Sequence, residues 1–163
     1  MSDTITKIKR SQIATFLDTT PNSTATYKLL GVGISNYGIA YNPQTEQEQW
    51  IIHDNASTTV TGNQKSGDVE QRMYKGDPCF EFVNGLRDKN GGDLQTTAID
   101  VDMWDAVEST YKAKKQDVTI AVTSYGGDQN PSIGYTIYYN GDPIEGTVTI
   151  ADGVPSFVPN ASL

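Results

Sequence analysis

The second half of the chain alternates apolar and polar side chains at a period of two. Ile99, Val101 and Met103 are separated by Asp100 and Asp102. Val118, Ile120 and Val122 are separated by Thr119 and Ala121. Ile133, Tyr135, Ile137 and Tyr139 enclose Gly134, Thr136 and Tyr138, and Val148 and Ile150 flank Thr149. Such a period turns one set of side chains inward and the other outward only on an extended backbone. It predicts a mainly β fold. The 19 Thr and 9 Tyr residues suit a pleated, half-buried surface and point the same way. Turn chemistry at Gly126–Pro131 and at Asn140-Gly141-Asp142-Pro143 predicts breaks between these strands, the Asn-Gly pair being a strong hairpin signal. The first half holds weaker strand candidates at Ile13–Leu17, Thr26–Leu30, Ser35–Tyr41, Gln47–Ile52 and Val69–Tyr74.

One segment has a helical period instead. Cys79, Phe82, Val83 and Leu86 fall at i, i+3, i+4 and i+7, a single apolar stripe. Asp77 is the expected N-cap, Pro78 suits the first helical position, and Asn90-Gly91-Gly92 supplies a left-handed stop. The spacing predicts one flanking helix over residues 77–90. By contrast, His53–Gly67 is nearly all polar and fits neither period. It is expected to be a long loop, and loops of that length in a compact domain are usually functional or disordered.

Length and charge narrow the classes. A chain of 163 residues and 17.7 kDa fits one domain spanning residues 1–163, with a polar N-terminal arm over 1–12 and a C-terminal tail over 158–163. The net charge of −8 argues against a general nucleic-acid binder, because phosphate backbones are repelled. The single cysteine excludes an intramolecular disulfide and a cysteine-based zinc cluster, and the single histidine excludes a paired-histidine site. No apolar run approaches membrane-spanning length, and Met1–Arg10 lacks the apolar core of a secretory signal. No membrane partner is expected, and assembly in a cytoplasm is.

Candidate chemistry is sparse. Asp100, Asp102 and Asp105 bring carboxylates together, as acid–base catalysis or a divalent ion requires, but polar-out alternation produces such an acidic face by itself. Asp88–Asp93 is similar to a calcium loop but has Ile99 where the closing Glu belongs. His53 and Asp54 lack a nucleophile elbow, and Gly31-Val32-Gly33 lacks the third glycine of a dinucleotide fingerprint. Cys79 lies on the helix stripe and reads as core. No catalytic, cofactor-binding or metal-ligating set is predicted, so surfaces rather than a pocket are expected to carry the function.

Several segments together resemble one family. They are Ile8–Pro21, Tyr27–Ile34, Ile39–Thr45, the stretch ending Trp50-Ile51-Ile52-His53-Asp54, and Lys75–Val83 leading to Leu86-Arg87. In this order they are similar to the major tail, or tail tube, proteins of long-tailed, siphovirus-type bacteriophages of Gram-positive bacteria. The resemblance covers about Ile8 to Arg87. It implies a β-sandwich or half-barrel with one flanking α-helix and extended loops or arms. It also implies a non-enzymatic structural virion protein, without cofactor, that forms stacked hexameric rings. The expected partners are further copies of the chain, the tape measure, tail terminator and distal tail proteins, and double-stranded DNA in transit. By position, residues 53–67 match the loop that contacts the next ring. Lys7, Lys9, Arg10, Asp54, Asn55, Thr58, Thr59, Val60 and Lys65 are therefore contact candidates. Glu46, Glu48, Asp100 and Asp102 are candidates for an acidic lumen along which DNA slides rather than sticks. The runner-up is a carbohydrate-binding or adhesion β-sandwich using Trp104, Tyr138 and Tyr139 as an aromatic platform.

Overall fold

The computed structural model describes residues 4–160, so residues 1–3 and 161–163 of the two expected arms lie outside the described residues. Nine strands and one short helix follow one another: β1 (Ile13–Asp18), β2 (Tyr27–Leu29), β3 (Pro43–Glu48), β4 (Ser57–Asn63), β5 (Ser66–Arg72), α1 (Pro78–Asn84), β6 (Gln95–Val107), β7 (Thr110–Gly126), β8 (Ser132–Ala151) and β9 (Val154–Pro159). The expected mainly β fold with a single flanking helix is what forms. Seven strands make one antiparallel, nearly closed sheet in the order β2-β1-β6-β7-β8-β5, with β9 beside the second half of β8. Strands β3 and β4 pair only with each other.

The sheet buries opposite faces at its two ends. Around β7 and β8, Val118, Ile120, Ile133, Tyr135 and Ile137 join Val69, Leu17 and the helix residues Cys79 and Val83 in one core. Further along, Ala14, Phe16, Ile99, Val101, Ala113 and Val148 form a second core, closed by Tyr27 and Phe157. Ala98 and Ile99 are consecutive and both fully buried, although side chains at i and i+1 point to opposite faces. Strand β6 is thus covered on both sides, and the polar sets of the alternation emerge where each cover ends. At Gly67 the backbone must come close to a neighbour, because a Cβ there would meet the Tyr37 ring at 2.6 Å.

Three sequence expectations are corrected. Asn140-Gly141 is not a hairpin turn. It is a bulge inside the 20-residue strand β8, with Gly141 at φ 68°, held by Gln116 Nε2 donating to the carbonyls of Gly141 (2.7 Å) and Asn140 (3.4 Å). The hairpin turn lies at Asp152-Gly153, both at positive φ. The helix begins as expected, with Asp77 accepting from the Phe80 N–H and Pro78 next, but it stops at Asn84. Gly85 is its C-cap; Asp88 takes a left-handed position after it, and Gly91 of the expected stop is left-handed as well but opens a separate 3-10 turn. Ser35–Tyr41 forms no strand. It crosses the edge of β5 through single bridges, Ile34 to Gln71 and Ala40 to Ser66.

Candidate functional site

Residues 53–67 are not the expected loop. Most of the stretch is strand β4 and the start of β5, and β4 pairs with β3 from Pro43↔Asn63 to Glu48↔Ser57. Threonine-rich extended backbone supplied the strand, and its partner is the Glu/Gln-rich segment before it. The product is a two-stranded arm whose residues are almost all exposed. Its base is fixed to the body: the Gln64 N–H donates to the Tyr41 carbonyl at 3.0 Å, and Asn42 Nδ2 donates to the Gln64 carbonyl at 3.1 Å.

The turn at the far end of the arm holds the most exposed apolar cluster of the described chain. Trp50 is 58% exposed, Ile51 fully exposed and Ile52 77% exposed. The turn is ordered by local contacts. The His53 N–H donates to the Trp50 carbonyl at 3.0 Å, Gln49 Nε2 donates to the His53 carbonyl at 3.2 Å, and the His53 imidazole stacks on Trp50 with centroids 5.9 Å apart. The turn thus presents ordered indole and aliphatic surface to water. The sequence missed it because Gln47–Ile52 reads as the end of a strand.

The arm is also acidic. Residues 43–63 carry Glu46, Glu48 and Asp54 and no Lys or Arg. Glu46 and Glu48 are exposed on β3, on the arm rather than on the main sheet. Of the expected contact residues, Asp54, Asn55, Thr58, Thr59 and Val60 are exposed on the arm or its turn. Lys7, Lys9 and Arg10 lie on the exposed segment leading to β1, where the Arg10 guanidinium donates to the carbonyls of Ile13 (2.6 Å) and Tyr37 (3.0 Å).

Lys65 is not the exposed contact residue expected, and Asp100 is half-buried beside it. Lys65 is only 8% exposed, with Nζ donating to Gln116 Oε1 at 2.9 Å between the rings of Tyr41 and Tyr139. Burial pushes its ammonium below the usual lysine range; Asp100 partly restores it, and Lys114 depresses it further. Asp100 accepts from Thr15 Oγ1 at 2.7 Å and from the Tyr139 hydroxyl at 3.3 Å. Burial raises its carboxyl above the usual aspartate range, against the opposing pull of the Thr15 bond and of Lys65. The Tyr37 and Tyr139 hydroxyls bond each other at 2.8 Å, and burial pushes both phenols up, so both stay neutral. These groups form a polar network, and Asp100 lines a cavity together with Asp102. Asp102 is half-buried on the same face, as Asp100 is.

Other sequence candidates resolve plainly. Tyr139 is buried, so the platform of Trp104, Tyr138 and Tyr139 is not assembled. Trp104 and Asp105 sit in an irregularity of β6 between Asp102 and Ala106, where Asp105 pairs with Lys112 at 3.2 Å. Cys79 is fully buried, and burial pushes its thiol up to about 12, so it is an inert core residue. Among the described residues no three His, Cys, Asp or Glu side chains group as metal ligands, and no helix is long and apolar enough to cross a membrane. No protein-family model and no curated protein matches the chain.

Proposed function

We propose that the chain is a structural subunit that assembles with copies of itself into rings stacked as a tube, as the tail tube protein of a long-tailed bacteriophage. The observation that carries this reading is the acidic arm, projecting from the sheet with Trp50, Ile51 and Ile52 at its turn. A large exposed apolar turn costs solubility unless a partner covers it. The outer edge of β9 supports the same reading, since no described strand pairs with it and an open edge is a template for another chain.

Magnitudes favour a many-copy assembly over a dimer. Burying a tryptophan and two isoleucines stabilises a contact by roughly 1.5–3 kcal/mol each. Association alone costs an estimated ~4–15 kcal/mol. One arm contact therefore barely holds, whereas several made at once in a ring reinforce one another. A heterologous contact that closes gives a ring, and one that does not close lets rings repeat along an axis. In this reading the exposed Asp68, Glu70 and Asp117 are further acids available to an inner wall that repels phosphate.

Negative-stain electron microscopy of the purified protein at high concentration tests the proposal. Rings or tubes of uniform width are expected. A solitary particle at every concentration would remove it.

A further inference from the structure

An asparagine followed by glycine readily loses its side-chain amide, because glycine has no Cβ to shield its own nitrogen. The chain has three such pairs, Asn84-Gly85, Asn90-Gly91 and Asn140-Gly141. The reaction needs two free groups: an asparagine carboxamide that can turn, and a glycine N–H that bonds nothing. The fold withholds them from two of the pairs. Asn84 and Gly85 are the last residue and the C-cap of α1, where the Gly85 N–H donates to the Glu81 carbonyl at 3.1 Å and Asn84 Oδ1 is buried. Asn140-Gly141 lies inside β8. There Asn140 Nδ2 donates to Thr119 Oγ1 at 2.8 Å, and Gln116 Nε2 holds both carbonyls of the bulge.

Asn90-Gly91 differs at each point. Residues 88–93 are all exposed. Gly91 opens the 3-10 turn Gly91–Leu94, so its N–H has no partner within that turn. The Asn90 carboxamide makes no capping bond to the turn either. A Cβ placed at Gly91 or Gly92 would meet nothing within 4 Å, so the Gly91 nitrogen is approached through open space.

We propose that Asn90 is a site of spontaneous deamidation in the folded protein, while the fold protects Asn84 and Asn140. The Gly91 nitrogen gives up its proton to solvent base and attacks Asn90 Cγ. The new N–Cγ bond closes an imide ring. The Cγ–Nδ2 bond breaks, and Nδ2 takes up a proton and leaves as ammonia. Water then opens the imide without any redox change. Cleavage of the N–Cγ bond gives aspartate. Cleavage at the main-chain carbonyl gives isoaspartate, which routes the backbone through the former side chain. Either product places a new carboxylate between Asp88 and Asp93, just ahead of β6. The site lies on the body, away from the arm, and does not depend on the assembly reading.

Peptide mapping by mass spectrometry, with isoaspartyl methyltransferase labelling of the products, reads the site directly. The full chain is aged at mildly alkaline pH, folded in one sample and in denaturant in another. In denaturant the three pairs are expected to convert at comparable rates. In the folded chain position 90 is expected to convert about tenfold faster than positions 84 and 140, which react only from locally opened states. Asn90→Gln, whose longer side chain closes the ring poorly, is expected to abolish the modified peptide and leave thermal unfolding unchanged. Conversion at 84 or 140 as fast as at 90 in the folded chain would overturn the assignment. So would an unmodified position 90 in the folded chain while the denatured sample converts.

Discussion

The sheet body and the β3–β4 arm are built from the same extended backbone and obey opposite rules. In the body each buried residue has company: Ile120, Ile133 and Ile137 are fully buried in one core with Val83 and Cys79 of α1, and Ile99 and Val101 in another against which Phe157 packs. Inside it Gln71 is fully engaged, donating to the Val32 carbonyl (2.8 Å) and to Asp77 (2.6 Å) and accepting from the Tyr135 hydroxyl (2.8 Å), whereas Asn84 Oδ1 and Arg87 Nε are buried without a partner. In the arm nothing is covered, its strands are mostly Gln, Glu and Thr, and its apolar residues sit at the end furthest from the core. An isolated two-stranded ribbon is marginal in water. The difference teaches that the body folds on its own contacts, while the arm leaves its apolar turn uncovered by the described residues.

The largest break of this comparison comes from the body. Ile137→Ala empties a fully buried site on β8, and a loss of about 2–5 kcal/mol is expected in denaturant unfolding. A loss near zero would mean that this core is not continuous.

A subtler test uses the polar network around Asp100. Asp100 has a raised pKa in the folded protein, because burial disfavours its charged form. Below that raised value the folded state holds a proton that the unfolded chain, with its ordinary aspartate, still releases. Wild type therefore gains stability as pH falls through the raised pKa toward the ordinary aspartate value, and Asp100→Asn lacks this gain. Lys65 has the opposite proton bookkeeping: its depressed pKa makes the folded state gain stability as pH rises from the depressed value to the ordinary lysine value. Parallel unfolding curves of wild type and Asp100→Asn across the acidic range would remove the burial assignment.

The smallest effect on folding, and the sharpest contrast, belongs to the arm. Ile51→Asp changes a fully exposed residue, so unfolding free energy is expected to move by no more than about 0.5 kcal/mol. Thermal unfolding checks this. A shift as large as that of Ile137→Ala would place the turn in a core instead of at a contact surface.

Much of the body was legible because period two survives in sequence wherever one face is covered. The alternation at Ile99–Val101 and the strands at Val118–Val122 and Ile133–Tyr139 follow it, whereas Ile13–Leu17 is buried on both faces and carries no such period. The misses have local causes. The Asn140-Gly141 signal was overridden by Gln116, whose side chain satisfies the bulge and lets β8 run on, while Asp152-Gly153 carries the same kind of signal and makes the turn. Strand β4 escaped because an arm with no buried face has no period to read. Lys65 and Asp100 looked like surface charge because the loop bringing Tyr37 and Tyr41 over them leaves no pattern along β6. The apolar turn was visible as Trp50-Ile51-Ile52, but its exposure depends on pairing between segments that composition does not reveal.

The most direct measurement compares wild type with Ile51→Asp by electron microscopy and sedimentation, at matched concentration and after unfolding curves have shown equal stability. Ordered rings or tubes from wild type, and dispersed, fully folded particles from Ile51→Asp, are the predicted result. Identical assemblies from both chains, or none from wild type at any concentration, would contradict the account.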